Sequence, residues 1–169
     1  MVFSEAYREF APAVVGYLRA RGVPDPEAVT HDVFMAVYPR IGSLTGGRAG
    51  LKTLLFTIAH ARIVDHHRRL TRAPRLVEYD PETEPRVAPS SEEVALARGT
   101  GILALLDELS PDQREVIALR VVADLSLEQT ATITNRSTGA VKQLQRRALL
   151  ALRGRLESQP LEAEQEGTR

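Results

Sequence analysis

The stretch that most limits what this chain can become is residues 126–155, SLEQTATITNRSTGAVKQLQRRALLALRGR. From Gln129 to Leu156 there is no acidic side chain, while Arg136, Lys142, Arg146, Arg147, Arg153 and Arg155 are all cationic. A short amphipathic pattern, a tight polar break at Asn135-Arg136-Ser137 and a longer amphipathic pattern follow one another. Two helices joined by so short a turn, the second one basic, make a helix-turn-helix of the kind that reads duplex DNA. On a helical wheel, Val141, Leu144, Ala148 and Leu152 share one side, flanked by Leu149 and Ala151, and are expected to pack inward. The other side carries Arg136, Gly139, Lys142, Gln143, Arg146 and Arg147. Arginine and lysine suit phosphates and guanine edges, glutamine suits adenine, and Gly139 permits close backbone approach. A bundle helix with a solvated basic face is the competing reading, but it needs neither the tight turn nor the acid-free run. Leu150 points outward on the same wheel, where a protein partner is expected to cover it.

The formal net charge of zero hides a pattern. Residues 1–75 hold eleven basic and six acidic side chains, and residues 76–110 hold two basic and eight acidic. Residues 111–156 return to eight basic and four acidic, and the tail 157–169 is acidic again. Two basic blocks separated by an acidic connector attract ligands through their local fields, not through the sum. The chain has no cysteine, which excludes disulfides and thiolate metal sites. No stretch approaches the length of an apolar membrane span and no signal peptide is visible, so a soluble cytoplasmic protein is expected.

Helical periodicity runs through both basic blocks. Residues 3–21 are apolar at Phe3, Tyr7, Phe10, Val14, Tyr17 and Leu18, with Pro12 predicting a kink or break near Phe10. Asp25 and Pro26 are placed to cap and start a helix over 26–38, ended by Pro39. A glycine-rich loop is predicted over 40–50, then a helix over 51–70 that turns basic at its end. Residues 71–91 contain four prolines and few large apolar side chains, the composition of a linker, and a linker of that length divides the chain in two. Helices are predicted over 91–109 and 111–123, the latter capped by Ser110 with Pro111 at its first position. Ser126 and Ser137 cap the last two. The chain reads as all-α, three helices then four, with no strand pattern.

No catalytic constellation is visible, and neither a cofactor nor a metal is expected. His60, His66 and His67 lack the paired spacing of a zinc helix, and His31 stands alone. The glycine-rich loop lacks the lysine-serine ending of a phosphate loop.

The two halves together resemble an extracytoplasmic-function (ECF) sigma factor of the sigma-70 family, the minimal bacterial sigma built from domains two and four. DPEAVTHDVFMAVY is similar to the family's helix that grips the polymerase clamp helices. LKTLLFTIAHARIVDHHRR is similar to its stretch for promoter melting and minus-ten recognition, with Leu54, Phe56 and Ala61 standing where Trp, Tyr and Asn are usual. LLDELSPDQREVIALR and the helix-turn-helix after it resemble domain four, with Leu144 and Gln145 in place of the frequent Arg and Leu.

The resemblance implies domain two over 1–71 (three helices), a flexible linker over 72–92, domain four over 93–157 (four helices) and a disordered tail over 158–169. It implies binding to bacterial core RNA polymerase through Glu27, Asp32, Phe34, Val37 and Tyr38. Contact with the minus-ten promoter DNA is implied for Lys52, Phe56, His60, Arg62, His66, Arg68 and Arg69, and contact with the minus-thirty-five DNA for Arg136, Ser137, Thr138, Gly139, Lys142, Gln143, Arg146 and Arg147. A controlling anti-sigma factor is a further implied partner. Whether Phe34 lies on the surface or in the core stays open at this point. The competing readings are a stand-alone helix-turn-helix regulator with an amino-terminal interaction bundle, and a pure interaction module.

Overall fold

A computed structural model describes residues 3–72 and 102–158, and every regular element among them is helical. The amino-terminal half contains α1 (Phe3–Ala20), α2 (Pro26–Val37) and α3 (Gly47–Arg72). The carboxyl-terminal half contains α4 (Ile102–Asp107), α5 (Pro111–Ile117), α6 (Leu127–Thr134) and α7 (Thr138–Ser158). The linker expected over 72–92 (beyond Arg72), the first part of the helix expected over 91–109, and the tail beyond Ser158 lie outside the described residues. None of the described helices is long and apolar enough to cross a membrane.

In the first half, Val14, Tyr17 and Leu18 of α1 meet Val33, Phe34 and Val37 of α2 and Leu55, Phe56, Ala59 and Ile63 of α3 in a buried core. Burying each large apolar side chain is worth about 1.5–3 kcal/mol. Tyr17 and Phe56 meet edge-on at 5.6 Å, and Tyr7 and Phe34 lie 4.7 Å apart. Asp25 starts α2 from a left-handed backbone, its carboxylate accepting the Ala28 N–H at 3.2 Å. The break expected at Pro12 does not occur, and α1 runs unbroken through it. Pro12 is exposed, as is Arg8 one turn earlier, so water can hydrate the carbonyl that the missing N–H leaves free.

The glycine-rich loop is shorter than the composition predicts. A 3-10 turn, Tyr38–Ser43, takes up its start, and α3 begins at Gly47, four residues before the first apolar position of the pattern. Gly50 donates its N–H to the Gly46 carbonyl at 3.1 Å, and a β-carbon there would sit 2.6 Å from the Thr45 carbonyl oxygen. Only glycine tolerates that approach.

In the second half the caps predicted from sequence all form. Ser110 and Gln113 make a reciprocal capping box at α5, and Ser126 and Gln129 make another at α6. Ser137 accepts the Ala140 N–H at 3.1 Å at the start of α7. Asn135 holds a left-handed backbone (φ 53°) that ends α6, and the Arg136 N–H closes the turn on the Ala131 carbonyl at 3.0 Å. One feature has no sequence signal. After Ile117 the helix widens into a π-turn, Ala118–Val122, whose end brings Val122 against Gly16 of α1.

The two halves pack together. A single apolar cluster runs from Ala6 in α1 to Ala148 in α7, and polar side chains join the halves around it. Arg21 donates to the Pro111 carbonyl at 2.9 Å and Lys52 to the Asp124 carbonyl at 2.6 Å. The Gln129 amide accepts the Ser126 N–H within its own capping box at 2.9 Å, and its nitrogen donates to the Thr53 hydroxyl at 2.8 Å.

Candidate nucleic-acid interface

α7 is the second helix of the helix-turn-helix, and it projects a cationic face. Thr138, Gly139, Lys142, Gln143, Arg146 and Arg147 are all exposed, while Val141 and Ala148 are fully buried on the opposite side. Leu144 and Leu152 are half-buried, so the inward stripe is narrower than the wheel suggests. Lys142, Arg146 and Arg147 have no ion-pair partner among the described residues, which leaves their charge available to phosphates. Ser137 is exposed, but its hydroxyl is engaged in the cap. Arg136 differs from the rest of the set. It is half-buried, 2.8 Å from the Asp112 carboxylate and 3.9 Å from that of Glu115, so it braces the turn. Leu150 is exposed as the wheel predicts, and Leu149 is exposed beside it.

The face of α3 is divided. Arg62, Arg68 and Arg69 are exposed and His66 is half-exposed, so a basic strip runs along the last turns. Lys52 and His60, nearer the start, are covered by the second half of the chain. His60 Nδ1 lies 3.2 Å from the Tyr17 hydroxyl and 3.3 Å from the Glu115 carboxylate. Burial holds the His60 pKa below its ordinary value, against the opposing pull of Glu115 and with Arg21 and Arg136 adding to the lowering. Burial also pushes the Tyr17 hydroxyl well above its ordinary range. Phe56 offers no surface for a base. It is fully buried against Tyr17, because the helix turn that aims Phe56 at α1 is the one that carries Leu55 and Ala59 inward.

The surface expected to meet polymerase needs the same correction. Phe34 and Val37 are core residues, buried to 1% and 0% exposure, and their periodicity belongs to the inward stripe of α2. Asp32 and Glu27 are exposed, with Glu27 paired to Arg19, and Tyr38 is 59% exposed. Met35, 51% exposed, joins Asp32 and Tyr38 on the outward side at helical spacing and was missed by the sequence reading. The three-residue steps Asp32, Met35, Tyr38 would have found it.

The sequence matches the family Sigma-70, region 4, over residues 105–154. It is 27% identical over 154 residues to the ECF RNA polymerase sigma factor BldN of Streptomyces coelicolor, a match covering 89% of this chain and 58% of that protein's length. It is 31% identical over 160 residues to the ECF RNA polymerase sigma factor SigD of Mycobacterium tuberculosis, covering 88% of this chain and 74% of SigD. Its fold is that of the Bartonella quintana sigma factor RpoE as solved with the anti-sigma factor NepR, with a TM-score of 0.70, 22% identity and coverage of 94% and 98% of the two chains. An exposed basic reading helix behind a braced turn, a three-helix half ahead of it and these likenesses converge: the chain belongs to the ECF sigma factors.

Proposed function

We propose that this chain binds bacterial core RNA polymerase and directs promoter-specific initiation of transcription. The observation that carries the reading is the pairing of an unpaired cationic face on α7 with a second basic strip on α3, each on its own helical half. Thr138, Gly139, Lys142, Gln143, Arg146 and Arg147 are assigned to the minus-thirty-five duplex, where a helix in the major groove reads base edges and phosphates. Arg62, His66, Arg68 and Arg69, with Lys52 and His60 once uncovered, are assigned to the minus-ten strand. Asp32, Met35 and Tyr38, with Glu27, supply the acidic and apolar surface for the polymerase clamp. Exposed Leu149 and Leu150 on α7 support an anti-sigma protein as a further partner. The domain bounds 1–71 and 93–157, joined by a tether, are part of the proposal.

Run-off transcription on genomic promoter fragments tests it. A specific transcript is expected only when core polymerase and this chain are both present. Specific DNA binding by the chain alone, with no transcript at any salt concentration, would favour a stand-alone regulator and overturn the sigma reading.

A further inference from the structure

We propose that Lys142 is a site of acylation by acyl phosphates, and that the groove beside it binds the phosphate end of the donor. The site is read from contacts within this chain. Only its consequence for DNA rests on the function proposed above.

The chain has twenty arginines and two lysines. Arginine keeps its charge, and lysine is the side chain that takes an acyl group as a stable amide. Lys52 is engaged, with its side chain 20% exposed and its amine donating to the Asp124 carbonyl at 2.6 Å. Lys142 is exposed and has no ion-pair partner among the described residues. It stands on the basic face of α7, so a change in its charge acts directly on that face.

A groove of about 470 Å³ opens beside it, lined among others by Arg120, Leu127, Lys142, Arg146, Leu149 and Arg153. Its lining includes no acidic side chain. Lys142, Arg146, Leu149 and Arg153 follow at steps of four, three and four residues, which sets them in one line along α7. Arg120 reaches the groove from the π-turn. Its Nε donates to the Gln145 amide oxygen at 3.0 Å and its Nη1 to the Leu125 carbonyl, so the guanidinium is held in place. A guanidinium already fixed loses little freedom on binding phosphate, and its planar fork matches phosphate oxygens. Arg153 is paired with Glu157 at 2.7 Å, which leaves Arg120 and Arg146 for an anion.

Spacing selects the kind of anion. Side chains four residues apart on a helix have β-carbons about 5–6 Å apart, so a phosphate on Arg146 lies within a short molecule's length of the Lys142 amine. An acyl phosphate carries its reactive carbon one oxygen away from its phosphorus, and Leu127 and Leu149 give its acyl chain an apolar wall. The transfer needs no other reactant. The Lys142 ammonium loses a proton to water, and its nitrogen attacks the acyl carbon. The N–C bond forms, the C–O bond to phosphate breaks with its electron pair leaving on phosphate, and a second nitrogen proton goes to solvent. The resulting amide is uncharged, so α7 loses one contact for a DNA phosphate.

The full-length chain is treated with acetyl phosphate and, in parallel, with acetic anhydride, a neutral donor. Peptide mass spectrometry reads the extent of acetylation at Lys142 and Lys52. The Lys142-to-Lys52 ratio is expected to be at least about tenfold higher with acetyl phosphate, the scale on which a cleft of one sign concentrates an anion. Arg146→Gln is expected to remove that preference. The treated chain and a treated Lys142→Arg chain are then titrated by fluorescence anisotropy against labelled duplex DNA of random sequence. Acetylation of Lys142 is expected to weaken binding roughly fivefold at about 0.1 M salt and to lower the salt slope by about 0.9, the share of one phosphate contact. Lys142→Arg is expected to keep its affinity through the treatment.

Equal ratios with the two donors, or an Arg146→Gln chain that keeps the preference, would overturn the groove as a phosphate site. An acetylated chain that holds the duplex as the untreated one does would overturn the consequence for DNA. If the untreated chain binds no duplex but Lys142 still labels selectively, the acylation site stands and the DNA reading of α7 falls.

Discussion

The two halves of this molecule hold their charged surfaces in opposite ways. In the second half Lys142, Arg146 and Arg147 of α7 stand exposed without an ion-pair partner among the described residues, and the caps on either side of the turn are made by residues close in sequence. In the first half, Lys52 and His60 of α3 are covered by residues that come from much further along the chain, Asp124 and Glu115. A surface set by neighbouring residues is settled when its helix forms. A surface set by a distant partner is settled only by how the chain closes.

The largest expected effect breaks the first half. Phe56→Ala should cost roughly 3–5 kcal/mol of stability, since Phe56 is a fully buried ring packed on Tyr17. Urea denaturation measures it. A variant that keeps its stability but opens promoters poorly would return Phe56 to the DNA surface.

The next effect sharpens the second half. Arg146→Glu should weaken binding to minus-thirty-five duplex by about 1–3 kcal/mol while leaving polymerase binding and the denaturation midpoint unchanged. Fluorescence anisotropy with duplex DNA, alongside a core-polymerase pull-down, reads both. Loss of both together would mean that the face of α7 is not separable from the polymerase surface.

The smallest effect concerns the contact between the two halves. His60 faces Tyr17, Arg21, Glu115 and Arg136, and its folded pKa lies below its ordinary value because it is buried. As pH falls below about 6.5, the unfolded chain takes up a proton there before the folded chain does, so stability is lost with acidification. His60→Gln should show a smaller drop in Tm between pH 7 and pH 5.5 than the wild type. Equal drops would exclude His60 as the titrating group.

What could be read from the sequence follows the same division. Ser110, Ser126 and Ser137 are legible because a cap is settled locally among three or four residues. The α7 face was legible because charge and period coincide there. Phe34 and Val37 enter the polymerase set through the resemblance, which assigns a helix to a partner without saying which of its sides is free, so the place of Phe34 stays open in the sequence. Periodicity alone places both on the buried stripe with Val33. Arg136 is counted with the DNA contacts because nothing local reveals that it meets Asp112 and Glu115 on α5. The widening at Ala118–Val122 had no signal in residue types at all.

Gln129 shows what closure asks of a single atom. Its amide oxygen completes the cap on Ser126, a task that glutamate performs as well as glutamine at this position of a capping box. Its amide nitrogen donates to Thr53 and to the Ala49 carbonyl, and there a carboxylate oxygen would meet that carbonyl and a hydroxyl whose proton is already given to it. A relative with glutamate at this position would keep its helix-turn-helix intact and lose this contact with the first half. The choice between two nearly isosteric side chains thus decides whether this contact between the halves can form.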